Sequence, residues 1–189
     1  MVESPTYTVE QRENNYEIRI YAPYILAQVD VESNFDDALR NGFEILAHYI
    51  FGGNRKKKTI SMTAPVSEEI PMMAPVTSEK IAMTAPVTEE QASERVYRIS
   101  FAMPSKFTLE TLPEPLDKRI TFKAVPSRRT AAIRFAGRVH EKLALQKTEE
   151  LKEWLSERGF VPQSNFVLAL YNPPFIPGMF RRNEIIVDI

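Results

Sequence analysis

Metal-binding and nucleophilic side chains are scarce in this chain of 189 residues, and their scarcity restricts its chemistry. The chain contains no cysteine and two histidines, His48 and His140. Disulfides, thiolate metal sites and cysteine nucleophiles are therefore excluded, and two imidazoles are too few for a multi-histidine metal centre. His48 is the candidate for a single axial metal ligand. Counting 100° per residue from Leu39 places His48 opposite the apolar stripe of its helix, so the alternative is an exposed surface histidine.

A segment near the C-terminus combines aromatic and cationic side chains. Residues 171–184 contain three prolines and one glycine, which predict a rigid loop. The loop presents Tyr171 and Phe180 beside Arg181, and this combination suits a flat apolar ligand that carries anionic groups. The alternative is a loop whose aromatic side chains pack on the domain and only stabilise it.

The most unusual stretch, residues 60–87, contains nearly the same Met-Thr-Ala-Pro-Val motif three times, at 62–66, 73–76 and 83–87. Proline donates no backbone hydrogen bond, so strands that contain it belong at sheet edges or strand ends. We interpret the stretch as an elaborated edge whose methionines, among them Met62 and Met83, could line the mouth of a ligand site. A duplicated surface loop is the alternative, and which copy forms the core strand is open.

Hydrophobic periodicity predicts the elements that would position these residues. Alternating apolar residues predict strands at about 16–21, 25–32, 96–103, 120–125, 131–135, 166–170 and 184–189. Helical stripes predict two helices, one starting after Ser33 or Asn34 and ending at Gly52, and one over about 140–158.

The second half of the chain repeats the pattern of the first. Pro23 and Pro126 are 103 residues apart, as are Asn34 and Gly137 at the two helix entrances. We predict one domain over residues 1–189, made of two strand-strand-helix-strand-strand repeats at about 16–103 and 118–189, with a proline-rich insertion at about 60–90. The expected fold is α+β: a distorted, mostly antiparallel eight-stranded barrel with two outer helices.

Composition narrows the function classes. Apolar residues make up 43% and charged residues 26% of the chain, and the net charge is −1, so we expect no nucleic-acid partner. Neither a signal peptide nor an apolar run long enough to span a bilayer is visible, which predicts a cytoplasmic protein. The basic run at 55–58 (Arg-Lys-Lys-Lys) is either solvated surface or a contact for anionic ligand groups. No Gly-rich phosphate loop, nucleophile elbow or metalloprotease helix motif is present, so the sequence gives catalysis no positive support.

Several segments together resemble the SOUL/heme-binding protein family. They are 16–19 (Tyr-Glu-Ile-Arg), 37–40 (Asp-Ala-Leu-Arg), 53–54 (Gly-Asn), 81–87 (Ile-Ala-Met-Thr-Ala-Pro-Val), 171–174 (Tyr-Asn-Pro-Pro) and 181–184 (Arg-Arg-Asn-Glu). The resemblance implies a distorted eight-stranded barrel of two similar halves, a fold shared with small-molecule-binding domains of some bacterial transcription regulators.

The resemblance also implies a function: non-catalytic binding of heme or another tetrapyrrole in a shallow apolar groove beside the first helix. Arg40 matches a family arginine that faces the heme propionates, and we expect Arg181 or Arg182 to assist it. Two groove residues of one branch, a methionine and a lysine, correspond to Ala47 and His48, while the axial histidine of another branch corresponds to Ile20. An effector-binding or carrier module for another apolar small molecule is the alternative, and an enzyme using the same pocket is a weaker one. The oligomeric state is open.

Overall fold

The computed structural model describes residues 3–64, 66–70, 95–172 and 176–189. In these ranges the chain forms nine strands, two α-helices and a short 3-10 helix at Gly178–Phe180. In chain order the elements are β1 (Tyr7–Glu13), β2 (Tyr16–Tyr21), β3 (Tyr24–Ser33), α1 (Phe35–Ile50), β4 (Val66–Ile70), β5 (Arg95–Ala102), β6 (Thr121–Val125), β7 (Arg128–Phe135), α2 (Glu141–Glu157), β8 (Phe166–Leu170) and β9 (Asn183–Asp188).

The strands form one antiparallel sheet in the order β1-β2-β7-β9-β8-β4-β5-β3-β6. Exchanging β2, β3, β4 and β5 with β6, β7, β8 and β9 returns the same order of these eight strands, read from the other end. The pseudo-twofold axis passes between β4 and β8, and we call this pairing the seam. The halves also pair through β2 with β7 and through β3 with β6. The α+β class and the antiparallel sheet are as predicted from the sequence.

Two details differ from the predicted barrel. Within the described residues the sheet is open, with β1 and β6 at its edges, so the barrel is not confirmed. A ninth strand, β1, was missed because its central residues are exposed and polar and show no hydrophobic alternation. The first Met-Thr-Ala-Pro-Val copy leads directly into β4, whereas the second and third copies lie outside the described residues.

Helix α1 begins and ends where its sequence predicts. The Asn34 side chain accepts a hydrogen bond from the Asp37 amide at 3.0 Å, and Gly52 adopts a left-handed φ of 113° after the last turn. Gly42 allows the helix to approach β5 closely, because a Cβ there would lie 2.3 Å from the Ile99 side chain. Helices α1 and α2 together cover one face of the sheet and bury the main core.

The uncovered face of the sheet carries a buried ion pair between the two ends of the chain. Arg19 on β2 donates to both carboxylate oxygens of Glu184 on β9, at 2.7 and 2.9 Å, and these residues are 1% and 0% exposed. Arg182 and Tyr171 also donate to Glu184, at 2.7 and 2.9 Å. Burial alone would raise the pKa of Glu184, but hydrogen bonds and charge from Arg19 and Arg182 outweigh it and lower that pKa.

A second buried carboxylate, Glu68, lies at the seam and has the opposite character. It is 1% exposed on the helix-covered face of β4, and neither of its oxygens has a hydrogen-bond partner among the described residues. Desolvation, and after it the nearby carboxylates of Asp36 on α1 and Glu141 on α2, raise the pKa of Glu68 to about 8. Glu68 is therefore mostly protonated at neutral pH.

Breaking the Arg19–Glu184 pair from one side should destabilise the protein strongly. We expect Arg19→Met to lower the free energy of unfolding by about 3–5 kcal/mol, because it leaves a buried charge with fewer partners. The double variant Arg19→Met/Glu184→Leu should recover most of this loss. Urea denaturation followed by circular dichroism measures both.

Arg98→Met provides the matched control, because Arg98 makes an equally close pair with Asp30, at 2.7 Å, in an exposed position. We expect that variant to lose about 1 kcal/mol or less. Equal losses for Arg19→Met and Arg98→Met would contradict a dominant role for the buried pair.

Glu68 should make stability fall as pH rises. Its folded pKa lies above the unfolded value, so the folded state binds more protons and stability is lost between about pH 5 and pH 9. We expect Glu68→Gln to match the parent protein at pH 5 and to exceed it by at least ~1 kcal/mol at pH 9. Thermal unfolding across this range measures the difference, with Glu69→Gln on the opposite face of β4 as control. A parent profile no steeper than that of Glu68→Gln would refute this prediction.

Candidate functional site

A cavity of about 450 Å³ lies on the helix-covered side, where the two helices begin. Its volume is within the range of small-molecule sites, about 300–1,000 Å³. The lining side chains come from α1, from the segment before α2 and from the C-terminal segment: Asp36, Leu39, Arg138, Val139, His140, Leu170, Asn172, Arg181 and Asn183. We call it the junction cavity.

The pseudo-repeat explains why a cavity forms here. The two helix entrances are equivalent positions of the two halves, and the twofold arrangement brings them together beside the seam. The segment before α2 is fixed by Asn183, whose side-chain amide donates to the Gly137 carbonyl at 3.0 Å, and by a backbone bond from Gly137 to Gly178. Gly137 has a φ of 120°, which favours glycine. The cavity wall is thus held by backbone as well as side-chain hydrogen bonds.

The electrostatic character of the junction cavity is mixed, with cations in excess. Arg138, Arg181 and Asp36 all line the cavity, and the positive ends of two helix dipoles add to the cationic side. Arg181 also donates from Nε to the Ile176 carbonyl at 2.7 Å, which orients its guanidinium group. The apolar part consists of Leu39, Val139 and Leu170. Such a lining suits an amphipathic molecule with anionic groups.

Helix geometry extends the cavity wall along α1. At 100° per residue, Asp36, Leu39, Arg40, Phe43 and Ala47 fall within an arc of about 100°. Phe43 and Ala47 are half-buried, whereas Arg40 is exposed and pairs with Asp37. Two of the predicted groove residues, Arg40 and Ala47, therefore share a flank with the residues that line the junction cavity.

The two histidines occupy different ends of this arrangement. His48 is exposed in the last turn of α1, about 18 Å along the helix from Asp36. Its ring lies against Gly53, where a Cβ would come within 2.2 Å of Nδ1. His140 lines the junction cavity and caps α2, its Nδ1 accepting the Leu143 amide at 3.3 Å. The sequence singled out His48 as the possible ligand, although the position of His140 at the second helix entrance was visible.

The remaining predicted site residues are dispersed. Arg181 lines the junction cavity, but the Tyr171 side chain belongs to the buried Glu184 cluster on the opposite face of the sheet. Burial raises the pKa of Tyr171, which keeps it a neutral donor. Met62 is half-buried against the core just before β4. Met83 lies outside the described residues.

Of the nine residues that line the junction cavity, sequence reasoning assigned only Arg181 to the site, and the residues it missed include Arg138, Val139 and His140. No local pattern marked them, because each becomes a wall residue only through the twofold arrangement of the halves.

A second cavity of about 750 Å³ lies at the opposite end of the sheet and is lined by Tyr24, Met103 and Phe107 among others. Among the described residues no group of three or more His, Asp or Glu side chains could hold a metal ion. No described helix is both long and apolar enough to cross a bilayer.

Comparison with solved structures places the fold in a known group. The C-terminal domain of EcmrR matches with a TM-score of 0.59 at 10% identity, and the match covers 96% of each chain. A hydrolase from Listeria innocua matches with a TM-score of 0.57 at 9% identity, covering 94% of this chain and 93% of that one. At these identities the likeness concerns the fold alone.

Comparison with protein sequences gives a closer relationship. Heme-binding protein 2 of Homo sapiens is 34% identical over 174 residues, which cover 90% of this chain and 76% of the human protein. The mouse protein of the same name is 38% identical over 63 residues, 33% of this chain and 31% of its own length. The family profile described as SOUL heme-binding protein matches residues 2–188. The chain therefore belongs to the SOUL heme-binding protein family.

Proposed function

We propose that this protein binds heme or a related tetrapyrrole, without catalysis, along the flank of α1 and in the junction cavity. The observation that carries the proposal is the lining of that cavity, which combines an apolar surface with Arg138 and Arg181 near the start of α1. Family membership supports the same ligand class, because the human relative is a heme-binding protein by name.

The apolar ring of the ligand would contact the aliphatic side of the cavity and the helix flank. Leu39, Val139 and Leu170 supply the first surface, and Phe43 and Ala47 continue it along α1. Burial of apolar ring surface contributes about 25 cal/mol per Å², so a flat ring gains affinity even from a shallow groove. This hydrophobic contribution to the binding free energy is large even when the groove does not enclose the ring.

The carboxylates of the ligand would meet the arginines. Arg138 is exposed and makes no ion pair with the described residues, and Arg181 lies across the same cavity. A guanidinium group matches a carboxylate in two parallel hydrogen bonds, which favours arginine at such a site. Arg40 could contact a carboxylate further along the flank after giving up its exposed pair with Asp37. The positive helix ends add to this attraction.

Iron ligation has less support from the described donors. A neutral imidazole carries one ring proton, and the cap formed by His140 Nδ1 keeps that proton on Nε2. A bond from Nε2 to iron would therefore require the proton to move to Nδ1 and the cap of α2 to break. His48 stays the predicted axial ligand, but it lies beyond the far end of the flank. We therefore propose that ring and carboxylate contacts supply most of the affinity.

Removal of a cavity arginine should weaken porphyrin binding. We expect Arg138→Gln to raise the Kd for both heme and iron-free mesoporphyrin by about tenfold, the loss of one charge-assisted hydrogen bond. Heme is measured by the Soret absorbance and mesoporphyrin by its fluorescence. Arg134→Gln, on the exposed opposite face, is the control and should leave both Kd values unchanged.

Several outcomes would count against the site or the ligand. Equal affinity of the parent and Arg138→Gln would exclude the junction cavity as the carboxylate site. Absence of any Soret change at micromolar heme would reject the ligand class itself. If native mass spectrometry then found an apolar molecule that co-purifies, the carrier alternative would be favoured, with the 750 Å³ cavity as its site.

Absorption spectroscopy of variants distinguishes whether His48 or His140 ligates heme iron. If His48 ligates iron, His48→Ala should shift the Soret band of the heme complex, whereas His140→Ala should not. If neither ligates, both variants keep the parent spectrum and bind heme and mesoporphyrin with similar affinity. His140→Asn retains a capping side chain and controls for loss of α2 stability. A spectral change in His140→Ala and in His140→Asn would contradict the proposed competition between cap and ligation.

A further inference from the structure

The end of the molecule at the C-terminus of α1 carries a concentrated positive charge. The loop 52–59, here called the basic loop, contains four consecutive cations and no acidic residue. It packs against residues 104–120, which add three cations and three carboxylates. These two segments together hold seven cations and three carboxylates, a net charge of +4 in a chain whose total is −1.

The basic loop is held in one conformation by the buried side chain of Asn54. This side chain is 0% exposed and donates to the carbonyls of Tyr49 and Lys58, at 3.1 and 2.7 Å. It also accepts the Lys58 amide at 3.0 Å. Lys57 takes a left-handed φ of 47° within this turn. The loop therefore presents its charges from a fixed backbone, at a lower entropic cost of binding than a mobile tail would have.

Most of the positive charge in the basic loop is not neutralised. Arg55 pairs with Glu114 at 3.1 Å. Lys56, Lys57 and Lys58 are exposed, and no described carboxylate pairs with them. The ammonium group of Lys58 lies 5.4 Å from the centre of the Phe107 ring, a cation–π contact that does not neutralise its charge. Three lysine charges thus remain available to an anionic partner.

Two large apolar side chains are exposed beside these lysines. Phe51, directly before the loop, is 64% exposed, and Leu116, on the facing segment, is 59% exposed. The two segments are joined by backbone hydrogen bonds, from Leu116 to Gly53 at 3.2 Å and from Arg55 to Glu114 at 2.9 Å. Both apolar side chains therefore belong to the same end of the molecule as the lysines. We call Phe51, Leu116 and the basic loop together the basic face.

We propose that the basic face docks on the surface of an anionic lipid bilayer. Lysines would meet the phosphate and carboxylate headgroups, while Phe51 and Leu116 would enter the boundary between headgroups and acyl chains. This interaction is separate from ligand binding and does not depend on it. A nucleic acid is the less suitable partner, because two exposed apolar side chains gain nothing against a phosphate backbone and the whole chain is slightly acidic.

Vesicle co-sedimentation of the full chain tests this proposal. We expect binding to vesicles of phosphatidylcholine with about 30% phosphatidylserine at 0.1 M NaCl, and weak or no binding to pure phosphatidylcholine vesicles. Binding should fall steeply at 0.5 M NaCl, where screening shortens the reach of the lysine charges. Lys56→Glu/Lys57→Glu should bind at least tenfold more weakly, and Phe51→Ser should weaken binding at unchanged charge.

The control variant makes the same charge change at a remote position. Lys142→Glu/Lys152→Glu lies on α2 and should retain binding within about twofold of the parent. Circular dichroism checks that every variant is folded. Failure to bind anionic vesicles, or equal loss in the control variant, would overturn the proposal. So would tight binding to heparin or DNA that Phe51→Ser leaves unchanged while vesicle binding is absent, because that pattern identifies a soluble polyanion as the partner.

Discussion

The pairing of Arg19 with Glu184 is the constraint on which much of this structure depends. Two charges that are almost fully buried cannot be separated without leaving one of them in an apolar environment, so β2 and β9 must keep their positions on either side of β7. Side chains alternate along a strand, and this links the ion pair to the site. Asn183 precedes Glu184 and points to the other face, where it holds the wall of the junction cavity. The pair therefore fixes the position of that wall without contacting a ligand.

The pairing of β4 with β8 at the seam is a second constraint on the fold. It has an energetic cost, because it buries the carboxyl group of Glu68. The twofold order places β4 and β8 side by side, with both helix entrances above them. A glutamate at the centre of this seam, with no hydrogen-bond partner in the part of the chain that the structure describes, is tolerated because burial keeps it protonated. Asp36 contributes both to this raised pKa and to the lining of the junction cavity. A cationic group bound near Asp36 would lower the pKa of Glu68, and an anionic one would raise it, so ligand charge and core protonation are coupled.

The sequence predicts the elements of this fold better than their contacts. Periodicity located both helices and all strands except β1 and β4; the former exposes most of its side chains, and the latter lies inside the repeated segment. Arg19 and Glu184 stand in two of the segments that resemble the family, yet nothing local indicates that they meet, because 165 residues separate them. The junction cavity was missed for the same reason, since its residues come from three distant segments. Arg40 and Ala47 were predicted as groove residues from the family resemblance, and they share a flank because one helix carries both.

Helix α1 gives the protein two chemically different ends. Its 16 residues span about 24 Å, with the junction cavity at the N-terminal end and the basic face at the C-terminal end. This distance exceeds twice the Debye length of about 8 Å at physiological salt, so the charges of the two ends influence each other little. The carboxylates of a tetrapyrrole in the cavity would therefore be remote from the basic face, whereas its ring, lying along the flank as far as Ala47, would come within about 6 Å of Phe51 along the helix axis. Since the apolar end of the proposed groove adjoins Phe51, docking of the basic face on a bilayer would bring the ring end of the ligand site close to the membrane boundary while the carboxylate end stays about 24 Å away.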